Sequence, residues 1–339
     1  MRLVLVTGAG GYIGSILTRM LLERGYGVRA VDRFFFGRET LPLEENGLQV
    51  IRADIRWLEA GWLQGVDAVI DLAALSNDPA GELEPEKTWD INHRGRVRIA
   101  HLAKESKVSR YILPSSCSVY GFQSQMINEE SAVNPLTTYA KANLQAEQDV
   151  LLLADSHFCV TVLRQATVYG LSPRMRFDLA INGMVWGFFR NRKIPLLRDG
   201  SQWRPFVHVK DTVRAMLSVL NAPRDLVNSQ IFNVGTDQQN VQIMSLARAI
   251  SEAIRIPFSY EWYGLPDHRS YRVSFRKIEE VLDFYAKHTI SDGAAEVYEA
   301  LQKGVVKPDD PRTITVQWYK HLLEVQQFLK EVELEGVLL

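Results

Sequence analysis

The stretch RLVLVTGAGGYIGSILTRMLLERG, residues 2–25, joins a short apolar strand, Leu3 to Thr7, to a glycine turn. Behind the turn, Tyr12 to Glu23 carries apolar residues at helical spacing. This order suits a pyrophosphate. Gly8, Gly11 and Gly14 let the backbone turn tightly and come close to it, and the free N–H groups at the helix start, around Tyr12, Ile13 and Gly14, meet its charge. The spacing is GxxGxxG rather than GxGxxG, with Gly10 as an additional glycine. A lone glycine motif is a weak signal, but the flanking strand and helix supply the context it needs. The sequence predicts a dinucleotide site.

The next strand, YGVRAVD, ends in Asp32, where a carboxylate can accept both hydrogen bonds of an adenosine ribose. That favours NAD. Arg33 follows directly and suits the 2′-phosphate of NADP, but Asp32 would repel that phosphate, so the balance stays with NAD. Asp54 and Ile55 follow the third apolar strand and offer the adenine an acceptor and an apolar wall.

At 339 residues, the chain is long enough for a nucleotide domain and a smaller partner domain. Lys and Arg number 39 against 40 Asp and Glu, and no basic run is present, which disfavours nucleic acid as a partner. No apolar run reaches the length of a membrane span, and Leu3 to Thr7 already reads as a core strand rather than a leader, so the expected location is the cytoplasm. Two cysteines, Cys117 and Cys159, make neither a disulfide framework nor a metal cluster and read as buried thiols. No metal site is expected.

Strand-like runs at Leu3–Thr7, Val28–Asp32, Leu48–Ile51, Ala68–Leu72, Arg110–Pro114 and Cys159–Arg164 alternate with helical patterns. This is an α/β layout, a doubly wound Rossmann-type parallel sheet with a smaller mixed α/β C-terminal substrate domain. Residues 1–171 form the expected NAD-binding domain, to which 205–240 return through IFNVG at Ile231–Gly235. Residues 172–204 and 241–339 form a discontinuous substrate domain, and KEVELEGVLL reads as a terminal helix that frays. Long helices at Glu86–Glu105 and Tyr139–Ser156 offer faces for a homodimer.

The chemistry is expected at SSCSVYG, where the fifth strand ends, and at TTYAKAN, where the next long helix starts. Ser116 can donate to a substrate oxygen, and Tyr139 can pass a proton to or from that oxygen during hydride transfer. Serine nucleophilic catalysis is disfavoured because no GxSxG elbow surrounds Ser116.

These pieces together resemble an extended short-chain dehydrogenase/reductase of the nucleotide-sugar epimerase and dehydratase group. The resemblance rests on TGAGGYIG at Thr7–Gly14, DLAALS at Asp71–Ser76, INHRG at Ile91–Gly95, SSCSVYG at Ser115–Gly121, Tyr139 in PLTTYAKAN, and LRQATVYG at Leu163–Gly170. WRPFVHVKD and DHRSYRVSF strengthen it. It implies that Leu72, Ala73, Ala74, Asn92 and Ser115 also line the cofactor. It further implies that Arg204 and Arg269 hold the diphosphate of a nucleoside-diphosphate sugar, with Asn182 as a further donor. Ser76, Asn77 and Asp78 are expected near the sugar hydroxyls. Thr167 stands where many relatives carry asparagine.

One position departs from the family pattern Tyr-x-x-x-Lys. The fourth residue after Tyr139 is Asn143, which can still hydrogen-bond a ribose hydroxyl but cannot supply the charge that favours a tyrosinate. Lys141, two residues from Tyr139, points to another face of the helix. The resemblance implies an NAD-dependent nucleoside-diphosphate-sugar epimerase working through a ketosugar. The alternatives are a dehydrogenase releasing that ketosugar, a 4,6-dehydratase, and a sugar-nucleotide binding protein without turnover. Ser116-Cys117-Ser118 replaces the threonine-aspartate-glutamate series of the dehydratases, which disfavours that reaction.

Overall fold

Alternation within each strand decides what the central sheet buries. In β1 (Leu3–Thr7), Val4 and Val6 face one side and Leu5 the other, and all three are inaccessible to solvent. The computed structural model describes residues 2–43, 47–265, 269–334 and 336–337. β1 is joined by β2 (Gly27–Asp32), β3 (Leu48–Arg52), β4 (Ala68–Asp71), β5 (Arg110–Ser116), β6 (Cys159–Gln165) and β7 (Gln230–Val234). They form one parallel sheet in the order β7-β6-β5-β4-β1-β2-β3. The order reverses at β1, with Val4 opposite Val28 of β2 on one side and Ala68 of β4 on the other. The crevice at the carboxyl ends of these strands is where such sheets take ligands.

The same period of two recurs in Val69 and Ile70 and in Tyr111, Ile112 and Leu113, so each sheet face has its own core. On one face Leu17 and Leu21 of α1 (Gly14–Glu23) pack with Val213, Met216 and Leu220 of the helix Val209–Asn221. On the other, Ile99, Ala100 and Ala103 of α2 (Arg96–Glu105) meet Ala146 and Val150 of α3 (Thr138–Leu151). Each fully buried Val, Leu or Ile contributes about 1.5–3 kcal/mol, so both faces hold the sheet firmly. Residues 85–105 run as one helical segment, with a π-wound turn at Asp90–Gly95 ahead of α2. α3 stops at Leu151, short of the expected Ser156. The Asp155 carboxylate accepts from His157 N–H at 2.7 Å and Phe158 N–H at 2.8 Å, turning the chain into β6.

A third core gathers α4 (Ala180–Asn191), α5 (Ile243–Ala253) and α6 (Ile290–Gln302) around Ile181, Val185, Phe188, Leu246, Ile250 and Val297. Short strands edge it. Thr167–Tyr169, Trp203–His208 and Asn240–Gln242 make a three-stranded sheet, and Ile194–Leu197 pairs with Tyr260–Tyr263. The last helix, α7 (Thr315–Val332), takes in the first three residues of KEVELEGVLL and returns to the crevice. Among the described residues no helix is long and apolar enough to cross a membrane.

Candidate functional site

β1 ends at Thr7, whose hydroxyl donates to Asp71 of β4 and accepts from Ala73 N–H at 3.0 Å, locking the two central strand ends together. Gly8 follows with φ +63°, and a Cβ there would stand 2.8 Å from the Leu72 carbonyl. At Gly14 a Cβ would stand 2.1 Å from the Gly8 oxygen. Only glycine lets this turn close. The N–H groups of Tyr12 and Ile13, at the start of α1, have no protein acceptor among the described residues. They form a ready anion site.

This turn opens on a cavity of about 780 Å³ at the carboxyl ends of the strands. Every candidate from the sequence lines it except Asn92, Asn143 and Asn182. Those three amides are engaged inside the protein. Asn92, on the π-wound turn, accepts from Leu75 N–H at 2.8 Å and donates to Leu75 C=O at 3.0 Å, so it shapes the loop after β4. Asn182 accepts from Gly170 N–H at 3.0 Å and donates to Tyr12 Oη at 3.1 Å and Arg176 C=O at 2.9 Å, which leaves no N–H for a diphosphate. Asn143 stands behind Tyr139 with its oxygen on Arg96 at 2.8 Å.

At the adenosine end, Asp32 accepts from Gly10 N–H at 3.0 Å and Phe34 N–H at 2.7 Å, one bond to each oxygen. A lone pair remains on each oxygen for a diol. Arg33 is turned to Asp54 at 3.0 Å and lies over Phe35, and Asp54 also pairs with Arg56 at 2.8 Å. The Asp54 carboxylate is thus occupied by two guanidinium groups, while Ile55 supplies an apolar wall.

At the other end β5 delivers Ser116, and Thr137 caps α3 by accepting from Ala140 N–H at 3.2 Å, which sets Tyr139 in the first turn. Ser116 Oγ accepts from Ser118 N–H at 3.1 Å, which leaves its own proton to be donated toward the Tyr139 phenol oxygen or a ligand oxygen beside it. Burial raises the Tyr139 phenol. Arg96 is the largest influence lowering it, ahead of Asn143 and Ser116, while Asp78 raises it further. Ser115, behind Ser116, bonds to Glu147, whose other oxygen pairs with Arg164 at 2.7 Å.

Ser76, Asn77 and Asp78 form the rim facing the smaller core. Ser76 accepts from Arg176 at 3.1 Å, Asn77 donates to Asp178 at 2.7 Å, and Asp78 accepts from Thr137 at 2.6 Å and pairs with Arg269. Arg204 donates to the carbonyls of Trp203 and Arg269 and lies 5.4 Å over the Tyr271 ring, so the two predicted diphosphate arginines are neighbours. Thr167 is on the same wall. Asp267 and His268 of the DHRSYRVSF stretch lie outside the described residues.

Among the residues of this cavity that sequence reasoning missed are Arg174, Arg176 and Tyr319. Arg176 is clamped by Asp178 at 3.0 and 2.7 Å. Arg174 has no such partner: it donates to Thr315 at 2.9 Å, its buried Nε bonds to nothing, and burial together with Arg176 brings it down to about 9. Their signal was SPRMRFD, two arginines two apart, flanking Met175 and followed by Asp178, shortly after VYG. Tyr319, on α7, packs at a tilt against Phe36 with ring centres 5.5 Å apart, while Trp318 Nε1 donates to Phe35 C=O at 2.7 Å. No local signal announces it. The glycine cradle, the unpaired N–H groups of Tyr12 and Ile13, and the orphaned Arg174 Nε fit a dinucleotide pyrophosphate.

Comparison with known proteins agrees with this geometry. The family model described as the NAD dependent epimerase/dehydratase family matches residues 4–235. The chain is 26% identical over 307 residues to a Bacillus subtilis protein described as an uncharacterized UDP-glucose epimerase, YtcB, covering 86% of this chain and 95% of that one. It is 29% identical over 314 residues to a UDP-glucose 4-epimerase of Mycolicibacterium smegmatis, covering 87% and 97%. Among solved structures, MoeE5 in complex with UDP-glucuronic acid and NAD superposes with a TM-score of 0.78 at 30% identity, covering 89% of this chain and 99% of that one.

Proposed function

The chain belongs to the NAD-dependent epimerase/dehydratase family, and from that premise we propose that it is an NAD-dependent epimerase of a nucleoside-diphosphate sugar, acting through a ketosugar. The observation that carries this reading is the meeting of Ser116 and Tyr139 in the cavity that also holds the glycine cradle and Arg204 and Arg269. Bound NAD, held at Gly8 to Gly14 with Asp32 on its adenosine ribose, supplies a hydride acceptor and later donor. Tyr139 takes the hydroxyl proton as the sugar carbonyl forms and gives it back when the carbonyl is reduced. Ser116 donates to the same oxygen and holds it in place. Arg204 and Arg269 offer the diphosphate directional, charged donors, Arg269 exchanging Asp78 for phosphate. The similarity to UDP-glucose epimerases and to a protein solved with UDP-glucuronic acid supports a uridine diphosphate sugar as substrate.

A closed cycle needs a cofactor that stays. Trp318, bonded to the Phe35 carbonyl, and the Tyr319 ring, packed on Phe35 and Phe36, cover the loop after Asp32, which favours an epimerase over a dehydrogenase that must exchange cofactor at every turnover. The test is incubation of the purified protein with NAD and a panel of nucleotide sugars, following reduced-nicotinamide absorbance and product stereochemistry. An inverted sugar with little net NADH is expected. Stoichiometric NADH with a free ketosugar selects the dehydrogenase, loss of water the dehydratase, and binding without hydride exchange in a single turnover removes the enzyme reading. A homodimer through the outer faces of residues 85–105 and α3 belongs to the same proposal, and a mass series over concentration that finds only monomer overturns it.

A further inference from the structure

Arg96 is a cation on a buried stripe. It shares the inner face of residues 85–105 with Asn92, Ile99, Ala100 and Ala103, and it is 3% exposed. Its guanidinium donates from Nε to Ala73 C=O at 3.0 Å, from Nη1 to Asn143 Oδ1 at 2.8 Å and from Nη2 to Pro114 C=O at 3.4 Å. All three acceptors are neutral, and a buried guanidinium persists only where an anion or a function offsets its lost hydration. Three acidic groups feel its charge. Asp71, on β4, already accepts from Thr7 and from Tyr111 at 2.6 Å, the Tyr111 phenol spends its proton on that bond, and the third is the phenol of Tyr139.

Asn143 fixes the direction of this contact. A guanidinium has only donors, so the Asn143 oxygen must face Arg96 and its NH₂ must face the opposite way, toward Tyr139. That nitrogen is buried and makes no completed hydrogen bond among the described residues, and its influence on Tyr139 is to favour the ionised phenol. An NH₂ facing the phenol oxygen makes that oxygen an acceptor and turns its proton toward Ser116 and the cavity.

We propose that Arg96 and Asn143 act as a pair that supplies Tyr139 with its stabilising positive charge, relayed through the amide, in place of a lysine on α3. Both are positioning residues acting through Tyr139. The other charged groups facing the phenol are Asp78, on the turn beside it, and Arg176, from the segment leading to α4. Asp78 is shared with Arg269 and Arg176 with Asp178, so Arg96 is the cation whose bonds all run to neutral acceptors.

The proposal rests on the functional reading only in taking Tyr139 as the acid and base, and it is tested without turnover. The NAD-loaded protein is titrated through the alkaline range, and the near-ultraviolet phenolate signal of Tyr139 is isolated as the difference from Tyr139→Phe. Arg96→Gln is expected to raise the midpoint by about 1–3 pH units, the usual effect of removing an adjacent opposite charge. Arg96→Lys retains most of the native midpoint, Asn143→Ala raises it in part, and Asn143→Lys placed in the Arg96→Gln protein restores it. A purely structural Arg96 gives another result: lower thermal stability, an unchanged midpoint, and no restoration by Asn143→Lys. That outcome overturns the proposal. Should Arg96→Gln fail to fold, the Asn143→Ala midpoint decides, and no shift there overturns the proposal equally. A protein showing these shifts yet inverting no nucleotide sugar would end the epimerase reading and leave the charge pair standing.

Discussion

Asp32 illustrates how one side chain both builds a loop and selects a ligand. Its two backbone bonds hold Gly10 and Phe34 in place, and burial pushes its carboxyl up, with those bonds and the Arg174 charge drawing it back. Arg33, the residue that suits a 2′-phosphate, is committed to Asp54. NAD is therefore expected to bind more tightly than NADP. Asp32→Asn, which keeps an acceptor but removes the charge, should narrow the preference by about tenfold or more, roughly 1.4 kcal/mol, in parallel calorimetric titrations. Tighter NADP binding by the unmodified protein contradicts this. At this scale the sequence was legible where backbone conformation or chain order governs the site. Gly8 and Gly14 are dictated by close approach, and Ser116 and Tyr139 by a strand end and a helix start. It was not legible for amides and buried cations. Asn92, Asn143 and Asn182 all hydrogen-bond inward, and which way an amide turns depends on partners such as Leu75, Arg96 and Gly170 that only the fold brings near.

At the scale of elements, α6 is tied to the end of the strand Trp203–His208 by a cluster of charges. Glu296 on α6 accepts from His208 Nε2 at 2.6 Å, Lys210 Nζ at 2.9 Å and Leu171 N–H at 2.8 Å. His208 Nδ1 accepts from Lys210 N–H, which puts its proton on Nε2, and His288 stacks on it while bonding to Asp211. Burial opposes ionisation of Glu296, but the bonds from His208 and Leu171 prevail and hold it down to about 2. An unfolded glutamate titrates near 4.3, so this depressed group contributes stability above that pH and loses it as the pH falls toward 2. The contribution is on the order of 1–2 kcal/mol after solvent screening. Glu296→Gln should leave the unfolding midpoint at low pH nearly unchanged, lower it at neutral pH, and flatten the slope between about pH 4.5 and 2. Parallel slopes for the two proteins in thermal melts across that range contradict this. The strands and the long helices were readable from periods of 2 and 3.6, whereas this tie joins residues 171, 208, 211, 288 and 296 and left no periodic trace.

At the scale of the molecule, the last helix reaches back over the first domain. Trp318 bonds to Phe35, Tyr319 packs on Phe36, and Arg312 joins Asp310 to Glu39. The part of this helix ahead of KEVELEGVLL thus becomes part of the cavity wall, because its aromatic residues meet Phe35 and Phe36 about 280 residues earlier in the chain. Trp318→Ala is expected to weaken NAD retention by about tenfold or more, roughly 1.4 kcal/mol, measured by cofactor remaining after gel filtration. Its effect on nucleotide-sugar binding should be smaller. Equal loss of both ligands would assign the helix to general folding.

If the protein is the epimerase proposed above, the packing of this helix on Phe35 and Phe36 has a consequence for how it would age. A catalyst whose dinucleotide is walled in draws nothing from the surrounding pool during normal cycles and is indifferent to the ratio of oxidised to reduced nucleotide outside. The same wall makes a single escape costly. If the ketosugar leaves before the hydride is returned, that molecule is stranded in the reduced form until the helix lifts. On that reading, working lifetime would be counted in completed cycles between escapes, with Arg269, released from Asp78 to the diphosphate, holding the ketosugar in place between them.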